Sequence, residues 1–462
     1  MANSLGRTFR DIGLNEGNNG KGIRLQGKIS LACKVCHVRA VSTRNYQTTL
    51  LFLKVYVMKA LHQDSEGVRR SYDLTVPPIV RFGSGRIAEV GSIATVLGNR
   101  IWLVLGKHSF ATCGGRESLL DGFHQHGLEF QEVAHSCGEP TVQQLAKAVR
   151  SLPLDRENVV VVAVGGGSTI DFGKALSALA TNIDPDTDES AEEMILDRLE
   201  GVGRGIPIDT PPLPFVAVPT TAGTGAEATR NAVLSCPKRR FKKSLRSTLM
   251  VPRAVVLDPS LIGSCNRNVI AASGIDCLTQ LIESFICRSR WSVPRALVLD
   301  AFPDAMTALP SLLKNPLDKA AQSSLVHAAF ISGVSLGNSG LGLAHGVAAA
   351  IGVECGASHG LACAALLPVA LRVNQKIAEN DLARLNQLLG GEVLPAPDGA
   401  QQLVERVIEL CRFAGTPTRL SEFGLKRNRI PWVAEHSGGN SMRGNPVQLS
   451  LTELVQQLES IF

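Results

Sequence analysis

The chain has 462 residues, 44% hydrophobic and 19% charged, with a net charge of +6 and a mean hydropathy of +0.11, values of a globular protein long enough for two domains. The positive charge is modest and gathers partly in an N-terminal arm and in Lys238-Arg239-Arg240 with Lys242-Lys243, so a nucleic-acid partner is not implied; such clusters form a solvated face or greet a phosphorylated small ligand. No run reaches the ~18 apolar residues of a membrane span, since the nearest, 48–61, is interrupted by Lys54 and Lys59.

Residues 1–75 are basic, scattered with Gly and Asn, and carry no sustained period. They read as an N-terminal extension: a disordered arm, a targeting segment or sequence annexed by an early start codon, with Asp11 and Glu16 counting against a transit peptide. Cys33-Lys-Val-Cys36-His37 matches the haem c attachment pattern, but that chemistry requires an exported protein and no charged-then-apolar signal segment precedes it. The 11 cysteines are an odd number, and Cys277, Cys287, Cys363 and Cys411 sit inside apolar patterns. They read as free thiols of a reducing compartment, cytoplasmic with mitochondrial as the alternative.

From Pro77 the character changes. Residues 78–82 predict a short strand, Gly83-Ser-Gly85 a turn, and 87–97 an amphipathic helix ended by Gly98. Strand 100–105, helix 117–126, strand 129–133 and helix 141–152 follow. Next comes an unbroken apolar run over 159–164, five of its six residues β-branched, as suits a strand buried on both faces of a parallel sheet. Gly165, Gly166 and Gly167 close it, and a helix begins at Ser168. Glycines at a strand exit allow φ > 0 and close approach of a ligand, and the helix N-terminus beyond favours a pyrophosphate. The run is neither a P-loop nor GxGxxG.

After a stretch rich in Asp and Glu, 214–218 predicts another buried strand, leading into Pro219-Thr-Thr-Ala-Gly-Thr-Gly-Ala-Glu227. Thr220, Thr221 and Thr224 offer hydroxyls to a nucleotide without crowding it. The last strand is 253–257. This alternation predicts an α/β nucleotide-binding domain, a parallel doubly wound sheet over 76–263, with ligands at the carboxyl ends of its strands. From 264 to 462 the pattern is helical, with apolar periods over 274–286, 319–336, 360–374 and 401–413, and a cleft is expected between the two halves.

In the helical half, Asp276 and Gln280 stand four apart on one helix face, with Glu283 continuing the row. His345 and His359 sit among small residues. A carboxylate with two histidines is an open metal-ligand set, although a satisfied core histidine is the commoner role for any one of them.

These residues carry a likeness. From about Pro77 onward the chain resembles the iron-containing, or group III, alcohol dehydrogenases: GGGSTID at 165–171, PTTAGTGAE at 219–227, Lys242 about ten residues before the Pro252 that leads into VVLDP, GIDCLTQLIES at 274–284, GLGLAHG at 340–346, SHGLACAALLP at 358–368 and GNPVQLS at 444–450. The resemblance implies a nucleotide-binding α/β domain joined to an all-helical metal-binding domain, and an NAD(P)-linked oxidoreductase acting on CH–OH groups. It places the metal, iron or zinc, on Asp276, Gln280, His345 and His359, with Asp276, His345 and His359 catalytic. It assigns the cofactor to Gly106, Gly165, Gly166, Gly167, Ser168, Asp171, Thr220, Thr221, Thr224 and Lys242. Gln280 departs from the histidine usual in the family, which weakens the site, and Ala349 replaces a histidine thought to relay protons. Where some NAD-specific relatives have an aspartate this chain has Gly106, followed by Lys107 and Ser109, so the motif leans toward NADP over NAD. The partner implied is a small alcohol or carbonyl compound, with neither nucleic acid nor membrane and with a homo-oligomer left open. Maleylacetate reductase, hydroxyacid–oxoacid transhydrogenase, a dehydroquinate-synthase-like lyase and a metal-free pseudoenzyme stand as alternatives; for an acidic substrate, Arg230 is the basic residue nearest the 219–227 loop.

Overall fold

The computed structural model describes residues 31–33, 38–40, 72–106, 110, 114–136, 138–184 and 189–462. The chain divides into two compact units, 1–69 and 70–462. In the first, the described residues are two short antiparallel strands, β1 (Leu31–Cys33) and β2 (Val38–Ala40), where no regular structure was expected. Cys36 and His37 of the haem-like run, and the apolar stretch 48–61, lie outside the described residues.

The second unit opens on β3 (Ile79–Phe82), a 3-10 turn (Arg86–Glu89) and α1 (Val90–Thr95), then alternates β4 (Arg100–Gly106), α2 (Gly115–Gln125), β5 (Glu129–Ser136), α3 (Val142–Arg150), β6 (Val159–Gly165) and α4 (Gly167–Asn182). Helix α5 (Ala191–Leu196), β7 (Phe215–Pro219), β8 (Asn231–Cys236), β9 (Phe241–Arg246) and β10 (Ala254–Leu257) complete the α/β half. Six strands form one parallel sheet in the order β3-β10-β7-β6-β4-β5. The apolar run in β6 is buried at every position: Val159, Val161 and Ala163 join the core on one face, and Val160, Val162 and Val164 the core on the other. That two-sided burial is why the run shows no alternation. Edge strand β5 is half exposed. Winding reverses between β4 and β6, so a crevice opens beyond their carboxyl ends, where Gly106 and Gly165 lie.

The antiparallel hairpin β8–β9 is not anticipated from the sequence, where it shows only as a basic cluster. Its alternation, Ala232, Leu234 and Cys236 inward, is short and follows a loop, so it was masked by the lysines and arginines beyond.

The helical half comprises α6 (Arg267–Ile286), α7 (Ser292–Lys314), α8 (Lys319–Asn338), α9 (Leu343–Cys355), α10 (His359–Asn374), α11 (Glu379–Leu388), α12 (Ala396–Ala414), α13 (Ile430–His436), α14 (Asn440–Arg443) and α15 (Leu451–Glu459). No strand recurs among the described residues after β10. By length and composition α6 and α7 are apolar enough to cross a membrane, contrary to the sequence expectation; but α6 is a central packing helix with 83% of its apolar window buried in the fold. A helix packed on nearly all sides is apolar all round. Thr75 is tied to this half, its N–H donating to Asn338 Oδ1 at 2.6 Å and its carbonyl accepting from Asn338 Nδ2 at 2.8 Å. The seven described cysteines from Cys236 to Cys411 form no disulfide, as their apolar settings indicate.

Lys174 of α4 holds the two halves of the nucleotide region in register. It is 1% exposed, and its ammonium donates to Ala226 O at 2.5 Å, Asn231 O at 2.8 Å and Thr229 Oγ1 at 3.0 Å. Burial pulls its pKa down to about 8, against the charges of Asp171 and Glu227. Burial likewise pushes Glu227 up to about 7 and Asp171 up to about 6. Replacing Lys174 with Met removes the three hydrogen bonds its ammonium makes and is expected to cost about 3 kcal/mol in urea unfolding. Because the folded pKa of Glu227 lies above its unfolded value, its contribution is fully present below about pH 4.5 and is lost as pH rises through about 7. Glu227→Gln should flatten the stability profile between those limits, a difference of about 3 kcal/mol at most, measured by Cm across pH.

Candidate active site

Strands β6 and β7 are neighbours in register, Gly165 opposite Pro219, so the two predicted loops leave the sheet side by side. The Thr220 N–H donates to Gly165 O at 2.9 Å and joins them. None of Gly165, Gly166 and Gly167 adopts positive φ, and close packing is what requires glycine at 165 and 167. A Cβ on Gly165 would strike the Thr169 side chain and one on Gly167 the Thr224 side chain, whereas one on Gly166 would only touch Thr221, at 3.4 Å. Helix α4 starts from Gly166 with no side chain capping it, which leaves its N-terminal amides to an anion. In the second loop Gly225 does need positive φ, 59°, and a Cβ there would strike the backbone of Gly333 on α8. The loop thereby packs directly onto the helical half.

A cleft of about 740 Å³ lies between these loops and the helices. Gly167, Ser168, Asp171, Thr224 and Lys242 line one side; Asp276, Gln280, His345 and His359 line the other. Thr220 is fully buried beneath the loop, and Thr221 lies against Gly166. Gly106 ends β4 opposite Ser136, while Lys107 and Ser109 lie outside the described residues. Asp171 accepts from the Val233 N–H at 3.0 Å, and Lys242 pairs with Glu139 at 2.5 Å. Arg230 does not line the cleft; Lys243 and Arg246 of the hairpin and Arg443 of α14 do, of which the sequence singles out only Lys243, within its basic cluster. Ala349 also faces it, without an imidazole.

On the helical wall, His345 Nε2 lies 3.3 Å and His359 Nε2 4.0 Å from Asp276 Oδ1. Asp276 Oδ1 and His345 Nε2 are both buried without a hydrogen-bond partner. Burial opposes ionisation of Asp276, but the His345 and His359 rings beside it override that and hold its carboxyl below the usual range. Gln280 Oε1 accepts from Ser332 Oγ at 2.6 Å, and Nε2 donates to Thr224 O at 3.3 Å. A fourth donor near the cluster, overlooked in the sequence, is Cys363: one donor atom from each of Asp276, His345, His359 and Cys363 lies within 4.8 Å of the others. Its spacing of four from His359 was the available signal.

Glu283, next in the row on α6, sets the geometry. It is 2% exposed and accepts from the N–H groups of Gly342 at 2.9 Å, Ala344 at 2.7 Å and His345 at 3.4 Å, while Asn445 accepts from Leu343 at 3.1 Å. The free amides at the start of α9 are thus capped from outside the helix, by a charge its dipole favours. The same carboxylate lies 2.7 Å from His345 Nδ1, which fixes a proton there and turns Nε2 toward Asp276. Glu283→Gln is expected to lower divalent-metal affinity about 10- to 100-fold by calorimetry, with far-ultraviolet circular dichroism unchanged.

Two family models match the chain in order: iron-containing alcohol dehydrogenase over residues 77–259, and the C-terminal domain of the Fe-containing alcohol dehydrogenase family over 270–462. Lactaldehyde reductase of Escherichia coli (strain K12) is 27% identical over 378 residues, 81% of this chain and 95% of that protein. NAD-dependent methanol dehydrogenase of Bacillus methanolicus is 25% identical over 389 residues, 83% of this chain and 98% of that protein. The crystal structure of a 1,3-propanediol oxidoreductase is similar with a TM-score of 0.76 and 26% identity, covering 85% of this chain and 100% of that one. With one model on the sheet half, the other on the helical half and the cleft between them, the chain belongs to the iron-containing alcohol dehydrogenase family.

Proposed function

We propose that the cleft reduces a small aldehyde or ketone with NAD(P)H, or oxidises the matching alcohol, with the nucleotide on the 165–171 and 219–227 loops and a divalent metal on Asp276, His345 and His359. The family is one of NAD(P)-linked, metal-dependent oxidoreductases acting on CH–OH groups. The observation that carries the site assignment is the facing of the uncapped α4 N-terminus and the Asp276–His345–His359 cluster across one cleft.

The residues fit a metal: Asp276 Oδ1 and His345 Nε2 are buried 3.3 Å apart with no hydrogen-bond partner, and a carboxylate with two imidazoles suits a divalent transition ion. When bound, the ion supplies a positive charge that polarises a carbonyl, and the nicotinamide supplies the hydride. The chain does the rest. The α4 N-terminus and Ser168 hold the pyrophosphate, Thr224 limits how deep the cofactor sits, and Glu283 fixes the His345 tautomer. Gln280 braces the wall beside them. With Ala349 where an acid–base group would otherwise stand, the proton that joins the hydride to complete the alcohol comes from water or a ribose hydroxyl.

The test is anaerobic purification with elemental analysis, followed by NADPH and NADH oxidation over a panel of aldehydes. Exhaustive chelation is expected to abolish turnover, Fe²⁺ or Zn²⁺ to restore it, and His359→Ala to lose metal and at least about 100-fold in rate. Wild-type turnover by His359→Ala or by chelated enzyme would refute the mechanism, and absence of steady NAD(P)H consumption with any carbonyl would favour the lyase alternative.

A further inference from the structure

The residue that the row on α6 offers as a fourth ligand is committed elsewhere. Gln280 spends its amide oxygen on Ser332 of α8 and its amide nitrogen on Thr224 O, and so works as a strut between α6, α8 and the nucleotide loop. Across the cluster, Cys363 follows His359 by one turn of α10 and is buried, with Sγ 3.7 Å from His359 Nε2. Two further atoms at the same spot, Asp276 Oδ1 and His345 Nε2, belong to residues 1% and 5% exposed and have no hydrogen-bond partner. Buried polar atoms without partners are costly, and a cation between them would satisfy both.

The spacing agrees. A tetrahedral ion with ligands at about 2.0–2.3 Å holds its donor atoms about 3.3–3.6 Å apart. The separations here are 3.3 Å for His345–Asp276, 3.7 Å for Cys363–His359 and 4.0 Å for His359–Asp276, so small rotations of side chains close them onto one ion.

We propose that Cys363, as a thiolate, and not Gln280, supplies the fourth ligand, making an Asp276–His345–His359–Cys363 centre that favours zinc over hard cations such as magnesium. The selectivity follows from the donor: a soft thiolate strengthens zinc binding and does little for hard cations. The proposal rests on the metal-site reading above, and the measurement separates the two.

The full-length chain, stripped of metal, is loaded with zinc, and X-ray absorption is expected to show one sulfur neighbour at about 2.3 Å beside the nitrogen and oxygen neighbours. Cobalt(II) loading is expected to give a thiolate-to-cobalt charge-transfer band in the near ultraviolet, lost in Cys363→Ala and Cys363→Ser and kept in Gln280→Ala. Zinc affinity, by competition with a chromophoric chelator, is expected to fall in Cys363→Ala by at least the about 10- to 100-fold that a supporting residue costs. One zinc per chain with nitrogen and oxygen neighbours only would overturn the thiolate assignment while leaving the Asp276–His345–His359 site standing. No stoichiometric metal in the wild-type chain would overturn both. Because the absorption measurement is made on the unmutated protein, a variant that fails to fold does not shield the proposal.

Discussion

A single buried carboxylate sets the arrangement on which the cleft depends. Glu283 projects from α6 into the start of α9, where it accepts from three backbone amides and from the His345 ring. A charge so deeply buried is stable only when its lone pairs are matched by donors, and these are oriented amides at the positive end of a helix dipole. The arrangement fixes where α9 begins, and with it the direction in which His345 points. Asn445 extends the same frame: it accepts from Leu343 N–H and exchanges hydrogen bonds with Asn374 at the end of α10. The helices that carry Asp276, His345 and His359 are thereby held through polar contacts behind the cluster.

The nucleotide side is built by close approach. Gly165 and Gly167 are small because Thr169 and Thr224 occupy the space a Cβ would need, and Gly225 is small because Gly333 of α8 lies against it. Lys174 then fastens the loop from beneath, donating to two carbonyls and a hydroxyl. A polar group without water must be matched in this way, so the loop stays rigid although it has almost no regular structure. Rigidity here matters for function, since hydride transfer requires the two reacting carbons to be held within contact distance.

Gln280 and Cys363 divide a task between them. The first links the metal wall to the nucleotide loop; the second stands ready beside the donors that lack partners. A neutral amide is a fair strut and a poor ligand, whereas a thiol is the reverse. Seen this way, the departure at 280 is a redistribution of roles among residues within one cluster.

The sequence by itself determined the architecture and the families of residues at the site. The buried valine run, the strand–helix alternation to Leu257 and the helical periods afterwards are local signals, because burial on one or both faces leaves its period in the chain. Asp276, Gln280 and Glu283 were legible as one row, and His345 and His359 as metal-type residues in small surroundings. Only the tertiary structure decided which of these face one another. The short β8–β9 hairpin that brings Lys243 and Arg246 to the cleft escaped notice because its alternation is brief and broken by charge. The reason for glycine at 167 lies with Thr224, in a loop distant in the sequence. That Glu283 serves His345, that Gln280 is occupied by Ser332 and that Cys363 joins the cluster of Asp276, His345 and His359 are contacts between helices distant in sequence. Such contacts are set by how those helices pack, and packing leaves no period for a single sequence to reveal.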